Sequence, residues 1–188
     1  NGSIRDLSNI VENFNSESLN QKSLDLINKT NLKNLKEIPN NVRIGSCVQN
    51  PGKFIGIGLN YKDHAIETGA ASPKEPIIFI KANSSVSGPN DNIVIPKNSK
   101  KTDWEIELGI IIGKKTKYIS ESDSLDHILG YCIVNDVSER EFQLERSGQW
   151  DKGKGCDTFG PIGPYLVTKD EVENIQNLSL ELKLNGKI

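Results

Sequence analysis

Long apolar runs are absent from this chain: none approaches the roughly 18 consecutive residues that a membrane helix requires. No signal peptide is visible, although a chain starting at Asn1 rather than Met would hide one. One-sided charge is absent too. With 23 Lys and Arg interspersed among 25 Asp and Glu, the net charge is −2, and no basic stripe of the kind nucleic acid demands can be traced. Aromatics make up only 6%, too few to furnish stacking platforms for single strands. Cysteines are scarce, and Cys47, Cys132 and Cys156 show no CxxC spacing; they read as reduced thiols of a cytoplasmic protein. Low-complexity tracts and internal repeats are missing as well. What remains is a chain of 188 residues, long enough to bury one sizeable core.

The most informative segment present is Asp103-Trp104-Glu105-Ile106-Glu107-Leu108, which runs on into Gly109-Ile110-Ile111-Ile112-Gly113. In an extended strand, alternate side chains point to opposite faces, so Glu105 and Glu107 share one face and Ile106 and Leu108 the other. Two carboxylates one pleat apart repel each other unless a cation lies between them. Thirty residues on, Asp136 offers a third carboxylate within the short run Val134-Asn135-Asp136-Val137. Three such oxygen donors suit Mg²⁺, Mn²⁺ or Ca²⁺ rather than zinc. The spacing alone is equally compatible with the solvated outer face of an antiparallel strand.

Residues 1–50 are rich in Asn, Ser, Lys and Leu, and Leu19, Leu24, Leu26, Ile27, Leu32 and Leu35 predict short amphipathic helices. Pro39-Asn40-Asn41 ends them. Beyond this small lobe, strands are expected over residues 53–58, 77–81, 92–96, 105–112, 131–134, 162–167 and 178–184. Helical segments are expected over 61–69, 120–129 (with Ser120 and Ser122 as capping residues) and 138–145. Short strands punctuated by Gly, Pro and Asn point to a β-rich α+β fold.

Five segments carry a family resemblance when taken in order: Gly58-Leu59-Asn60-Tyr61-Lys62-Asp63-His64-Ala65-Ile66-Glu67; Pro76-Ile77-Ile78-Phe79-Ile80-Lys81; the Glu105/Glu107 strand; Asn135-Asp136-Val137-Ser138-Glu139-Arg140-Glu141-Phe142-Gln143; and Lys154-Gly155-Cys156-Asp157 through Pro164. From about residue 45 onward the chain resembles the fumarylacetoacetate hydrolase family. Gln149-Trp150-Asp151-Lys152-Gly153-Lys154 is most similar to members acting on 2,4-dioxo-3-deoxy sugar acids or to ureidoglycolate lyases. The resemblance implies a rolled, mixed sheet around a central metal site. It divides the chain into an N-terminal lobe at 1–50 and a catalytic domain at 51–188. Family members usually continue well past the segment resembling residues 180–188, so a truncated C-terminus is expected here.

The resemblance also assigns roles. Glu105, Glu107 and Asp136 become ligands of Mg²⁺ (or Mn²⁺ or Ca²⁺), with Asp103 beside them. His64 and Glu67, neighbours on a helical turn, become a dyad in which the carboxylate fixes the imidazole tautomer and the imidazole takes a proton from water. Without the motif, a histidine in a polar segment is ordinarily a surface residue, as His127 is read. Arg140 and Gln143 are implied as binders of a substrate carboxylate; the plain alternative is a solvated helix face on which Glu139, Glu141 and Glu145 form ion pairs. Lys154 is implied as a stabiliser of developing negative charge and preferred over Lys152. Its Gly153-Lys154-Gly155 setting lacks the spacing of a nucleotide-binding P-loop. Lys81 is a second cation near the carboxylates, or a structural salt-bridge partner. Cys156 could be a nucleophile but reads better as a small buried residue, Cys132 reads as core, and Tyr61 as either pocket wall or packing. The activity implied is metal-dependent hydrolysis of a carbon–carbon bond in a β-diketone or acylpyruvate-type acid by a cytoplasmic homodimer. The alternatives are a lyase or decarboxylase using the same site, or a catalytically silent metal-binding fragment.

Overall fold

The computed structural model describes residues 3–188. The N-terminal segment contributes a minimal antiparallel pair, β1 (Ile4–Arg5) and β2 (Glu37–Ile38), and one helix, α1 (Gln21–Asn28). Asn20 caps α1 by accepting the Ser23 N–H, which satisfies one of the donors a helix start leaves free. Leu32 lies in a single 3₁₀ turn, Leu32–Asn34, and is half exposed, so the expected series of amphipathic helices reduces to one helix and a turn. Leu19 and Val48 anchor this segment by packing with Leu129, and Cys47 and Ile111 link that cluster to a second one around Cys132, Val134 and Ile162.

The remaining strands are short. β3 (Ile55–Gly58) pairs antiparallel with β4 (Ile77–Ile80), β5 (Val86–Ser87) runs parallel to β10 (Gly160–Pro161), and β6 (Thr102–Asp103) pairs antiparallel with β9 (Ser138–Glu139). The longest ladder joins β7 (Ile106–Ile112) to β8 (Ile128–Asn135), with β11 (Val167–Thr168) on the far edge of β8. The fold is thus α+β and strand-rich, with mixed strand directions, as expected.

The central strand forms where its β-branched run predicts, but begins at Ile106. Glu105 precedes it, and its N–H donates to Asn135 Oδ1 at 3.2 Å. Several expected elements take other forms. Residues 92–96 are irregular, and so are residues 178–183: a strand exists only through its ladder, and neither segment forms one with any described residues. The expected strand at 162–167 is broken, with Ile162 making a single bridge to Val134 before the chain re-enters pairing at β11. The helix expected at 120–129 is a 3₁₀ helix, Glu121–His127, whose start Ser120 does cap. The helix expected at 138–145 is two residues of strand followed by a π-helix: β9 pairs with β6, and the chain then winds into Glu141–Glu145. Among the described residues no helix is long and apolar enough to cross a membrane.

Candidate active site

Three short elements deliver charge to one buried point. Lys81 follows β4, Asp136 follows β8, and Lys154 ends a four-residue helix, α3 (Asp151–Lys154). The close approach of α3 depends on Gly153, since a Cβ there would run into the Glu139 carbonyl and lie 2.7 Å from Gln143 Cβ. Asp151 ties the same helix to β4 by accepting the Ile80 N–H at 3.0 Å.

Lys81 and Lys154 are 1% and 2% exposed, a placement tolerable for ammonium groups only when they are paired. Lys154 Nζ donates to Glu105 Oε2 at 2.6 Å and to Asp136 Oδ2 at 2.8 Å. Lys81 Nζ donates to Asp136 Oδ1 at 2.6 Å, to the Val137 carbonyl at 3.2 Å and to the Lys154 carbonyl. Burial pulls the Lys81 ammonium below its ordinary pKa, with Asp136 opposing the fall. Burial would raise the Asp136 carboxyl, but Lys81 and Lys154 outweigh it and hold that carboxyl below the usual range.

Arg140 extends the network outward. Its Nη2 lies 2.6 Å from Glu105 Oε1 and 2.8 Å from Asp103 Oδ2, its Nε donates to Asp103 Oδ2 at 2.9 Å, and its Nη1 donates to Gln143 Oε1 at 3.1 Å. Arg140 thus bridges Asp103 and Glu105, and through Glu105 it joins Asp103 to the central carboxylates. Gln143 is buried, at 3% exposure. Glu141 and Glu145 do form exposed ion pairs, with Arg146 and Lys101. Glu139 does not: it is wholly buried and is bound by backbone N–H groups, which overturns its reading as part of a solvated face.

Glu107 is the exception among the carboxylates, for among the described residues it has no ion-pair partner. Burial first, and then the charges of Glu105 and Asp136, push its carboxyl up to about 7. Tyr61 lies beside it and accepts the Leu108 N–H at 3.2 Å, so this tyrosine is both pocket wall and packing. Four carboxylates (Asp103, Glu105, Glu107, Asp136) thus face three cations (Lys81, Lys154, Arg140). Among the described residues no three His, Cys, Asp or Glu side chains gather around a common point in the manner of a metal site, and the Lys154 ammonium lies between two of the carboxylates. The donor chemistry nonetheless fits a hard divalent cation: all the candidate atoms are carboxylate oxygens, and Glu107 has no ion-pair partner among the described residues.

His64 and Glu67 lie on α2 (Lys62–Glu67), with Nδ1 and Oε2 4.0 Å apart, and they are 39% and 82% exposed in their side chains. Both face the same cavity of ≈ 2310 Å³ that Lys81, Glu105, Glu107, Asp136, Arg140, Gln143 and Lys154 line. Trp150 forms part of its wall, stacked at a tilt on Phe79 with ring centroids 5.8 Å apart. Lys152, Arg146, Cys156 and His127 lie outside it. Burial raises the Cys156 thiol, the opposite of what a nucleophile needs, and Cys132 is core. Sequence reasoning missed Glu139, whose type and position carry no sign of burial, and Trp150.

The profile of the fumarylacetoacetate (FAA) hydrolase C-terminal family matches residues 53–188. The chain belongs to the fumarylacetoacetate hydrolase family. A family relative from Burkholderia cenocepacia, named "Putative hydrolase", is 56% identical over 185 residues, covering 98% of this chain and 66% of its own length. The chain thus spans slightly less than two thirds of that relative. Among solved structures of the family, fumarylacetoacetate hydrolase from Exiguobacterium antarcticum superposes with a TM-score of 0.72 at 33% identity, over 90% of this chain and 60% of that one. A 5-carboxymethyl-2-hydroxymuconate delta-isomerase from Mycobacterium smegmatis superposes at 0.61 with 40% identity, over 72% and 57%.

Proposed function

We propose that this chain forms most of the active site of an enzyme that hydrolyses a carbon–carbon bond in a β-diketone or acylpyruvate-type 2-oxo acid with the help of a divalent cation. The observation that carries this reading is the shared cavity: the His64 imidazole, the carboxylates of Glu105, Glu107 and Asp136, the buried ammonium groups of Lys81 and Lys154 and the Arg140 guanidinium all line it. Glu105, Glu107 and Asp136 would hold Mg²⁺, or Mn²⁺ or Ca²⁺. Such a cation supplies Lewis-acid stabilisation of negative charge on substrate oxygens.

The chain's own residues account for the remaining chemistry. Arg140 and Gln143 grip the substrate carboxylate, the guanidinium through parallel N–H donors. Glu67 orients His64, which takes a proton from water as the water's oxygen attacks the distal carbonyl. Collapse of that adduct breaks the carbon–carbon bond, and the electron pair leaves as an enolate whose oxygen the Lys154 ammonium stabilises. Protonation at carbon then yields a carboxylic acid and a 2-oxo acid such as pyruvate. The same reading takes residues 1–50 as a lobe beside a catalytic domain at 51–188, and the protein as a cytoplasmic homodimer.

A second reading, lyase or decarboxylase action on ureidoglycolate or oxaloacetate, gains support from the exposure of the dyad. Oxaloacetate decarboxylation breaks a carbon–carbon bond and ureidoglycolate cleavage a carbon–nitrogen bond; neither involves attack by water, so both need the buried cluster but not the exposed His64. Pyruvate release from a simple acylpyruvate with Mg²⁺ tests the first reading. Release that depends on the cation and is lost in Glu105→Gln supports it. Oxaloacetate decarboxylation that survives His64→Gln, with no release from acylpyruvate, favours the second.

A further inference from the structure

Glu139 is 0% exposed, yet among the described residues no cation pairs with it. A buried carboxylate without a counter-ion is costly unless hydrogen-bond donors surround it, and here four do. Oε1 accepts the Lys101 N–H at 2.7 Å, the Lys100 N–H at 3.1 Å and the Ser99 hydroxyl at 3.3 Å, while Oε2 accepts the Phe142 N–H at 2.7 Å. Burial would raise this carboxyl, but the Phe142, Lys101 and Lys100 N–H groups prevail and hold it below its ordinary value.

The donors belong to two segments that converge on Arg140. Residues 99–101 lead directly into β6, which ends at Asp103, the partner of Arg140 Nε. Phe142 lies in the π-helical turn that Arg140 opens and that carries Gln143. Thr102 pairs with Glu139 in the β6–β9 ladder, and the Arg140 N–H donates to the Lys101 carbonyl at 2.9 Å. One carboxylate therefore joins the strand bearing the arginine's anchor to the turn bearing the arginine.

We propose that Glu139 is a positioning residue: through its four donors it sets the distance between Asp103 and Arg140, and so aims the guanidinium at the carboxylate of the substrate. The role of Arg140 rests on the functional reading above. The clamp itself does not, and the test keeps them apart.

The first measurement is exchange with water of the Arg140 Nε–H, followed by NMR and assigned with Arg140→Lys. In the unaltered chain the bond to Asp103 slows exchange; Glu139→Gln, which sets an amide N–H against one of the backbone donors, speeds it about tenfold. Leu129→Ala, in the core cluster with Leu19 and Val48, serves as a control for general destabilisation and leaves the Arg140 signal slow. If Glu139→Gln does not fold, Ser99→Ala removes one donor and gives a smaller acceleration in the same direction. Unchanged exchange in the folded Glu139 or Ser99 variant, or equal acceleration in the Leu129 control, overturns the clamp.

The second measurement is turnover of an acylpyruvate with Mg²⁺. Glu139→Gln raises KM more than it lowers kcat, and adds nothing in an Arg140→Ala background. An additive effect there overturns the route through Arg140. If the unaltered chain does not turn the substrate over while its exchange results stand, the functional reading fails and the clamp survives.

Discussion

Two walls of one cavity are built on opposite principles. The wall carrying Lys81, Asp136 and Lys154 is nearly free of solvent and cross-linked by hydrogen bonds from three elements, whereas α2 presents His64 and Glu67 on a single turn, open to water and 4.0 Å apart. Buried charges must be placed with their partners or not at all, because an unpaired ion in the interior costs several kcal/mol. Exposed groups carry no such requirement, so their geometry stays adjustable. Under the function proposed above, the difference suits a division of labour in which the buried wall holds negative charge and the exposed turn handles the attacking water.

The largest expected effect comes from breaking the buried wall. Asp136→Ala leaves two ammonium groups facing each other without solvent, and urea unfolding should show a loss of about 3–5 kcal/mol. A loss below about 1 kcal/mol would mean that water reaches these lysines. His64→Gln is the converse. It should change stability by less than about 0.5 kcal/mol while lowering acylpyruvate hydrolysis by a factor of about 10² or more. Full hydrolysis in that variant would end the dyad's role.

Glu107 sharpens the comparison because it belongs to the buried wall but lacks a partner. Its folded-state pKa of about 7 lies above the ordinary 4.5, so the folded protein holds the proton more tightly than the unfolded chain does. The stability this confers is complete below pH 4.5 and is lost as pH rises through 7. Discounted for partial exposure, the loss should amount to roughly 2 kcal/mol in cation-free protein, should vanish in Glu107→Gln, and should be offset by added Mg²⁺ above pH 7. Thermal unfolding across pH 5–8, with and without the cation, measures all three. The smallest effect belongs to the outermost ion pair. Lys101 and Glu145 are about half exposed, and Glu145→Gln should cost well under 1 kcal/mol.

The residues that line the cavity were more legible in the sequence than the bounds of individual elements. The residues named from motifs all line the cavity, and several of them stand just outside an apolar run, where a strand ends at the edge of the core. Glu105, Asp136 and Lys81 are of this kind. The alternation over residues 103–112 announced β7, and the spacing from Ser120 announced a cap. Elements whose existence depends on a partner were not legible: residues 92–96 and 178–184 have strand-like composition but no ladder. Residues 138–145 have helical composition, yet β6 recruits the first two into a sheet and leaves the rest to wind as a π-turn.

The sequence by itself determined which residues could carry charge and where the chain would turn, because side-chain chemistry and local backbone preference are properties of neighbours along the chain. Only the tertiary structure decided which charges are buried, that Arg140 bridges Asp103 and Glu105, and that Glu139 lies inside while Glu145 stays in water. The physical reason is that burial and pairing depend on segments that meet only on folding: β6 must lie beside β9 before Glu139 can be enclosed, and α3 must close on β4 before Lys81 and Lys154 can share Asp136.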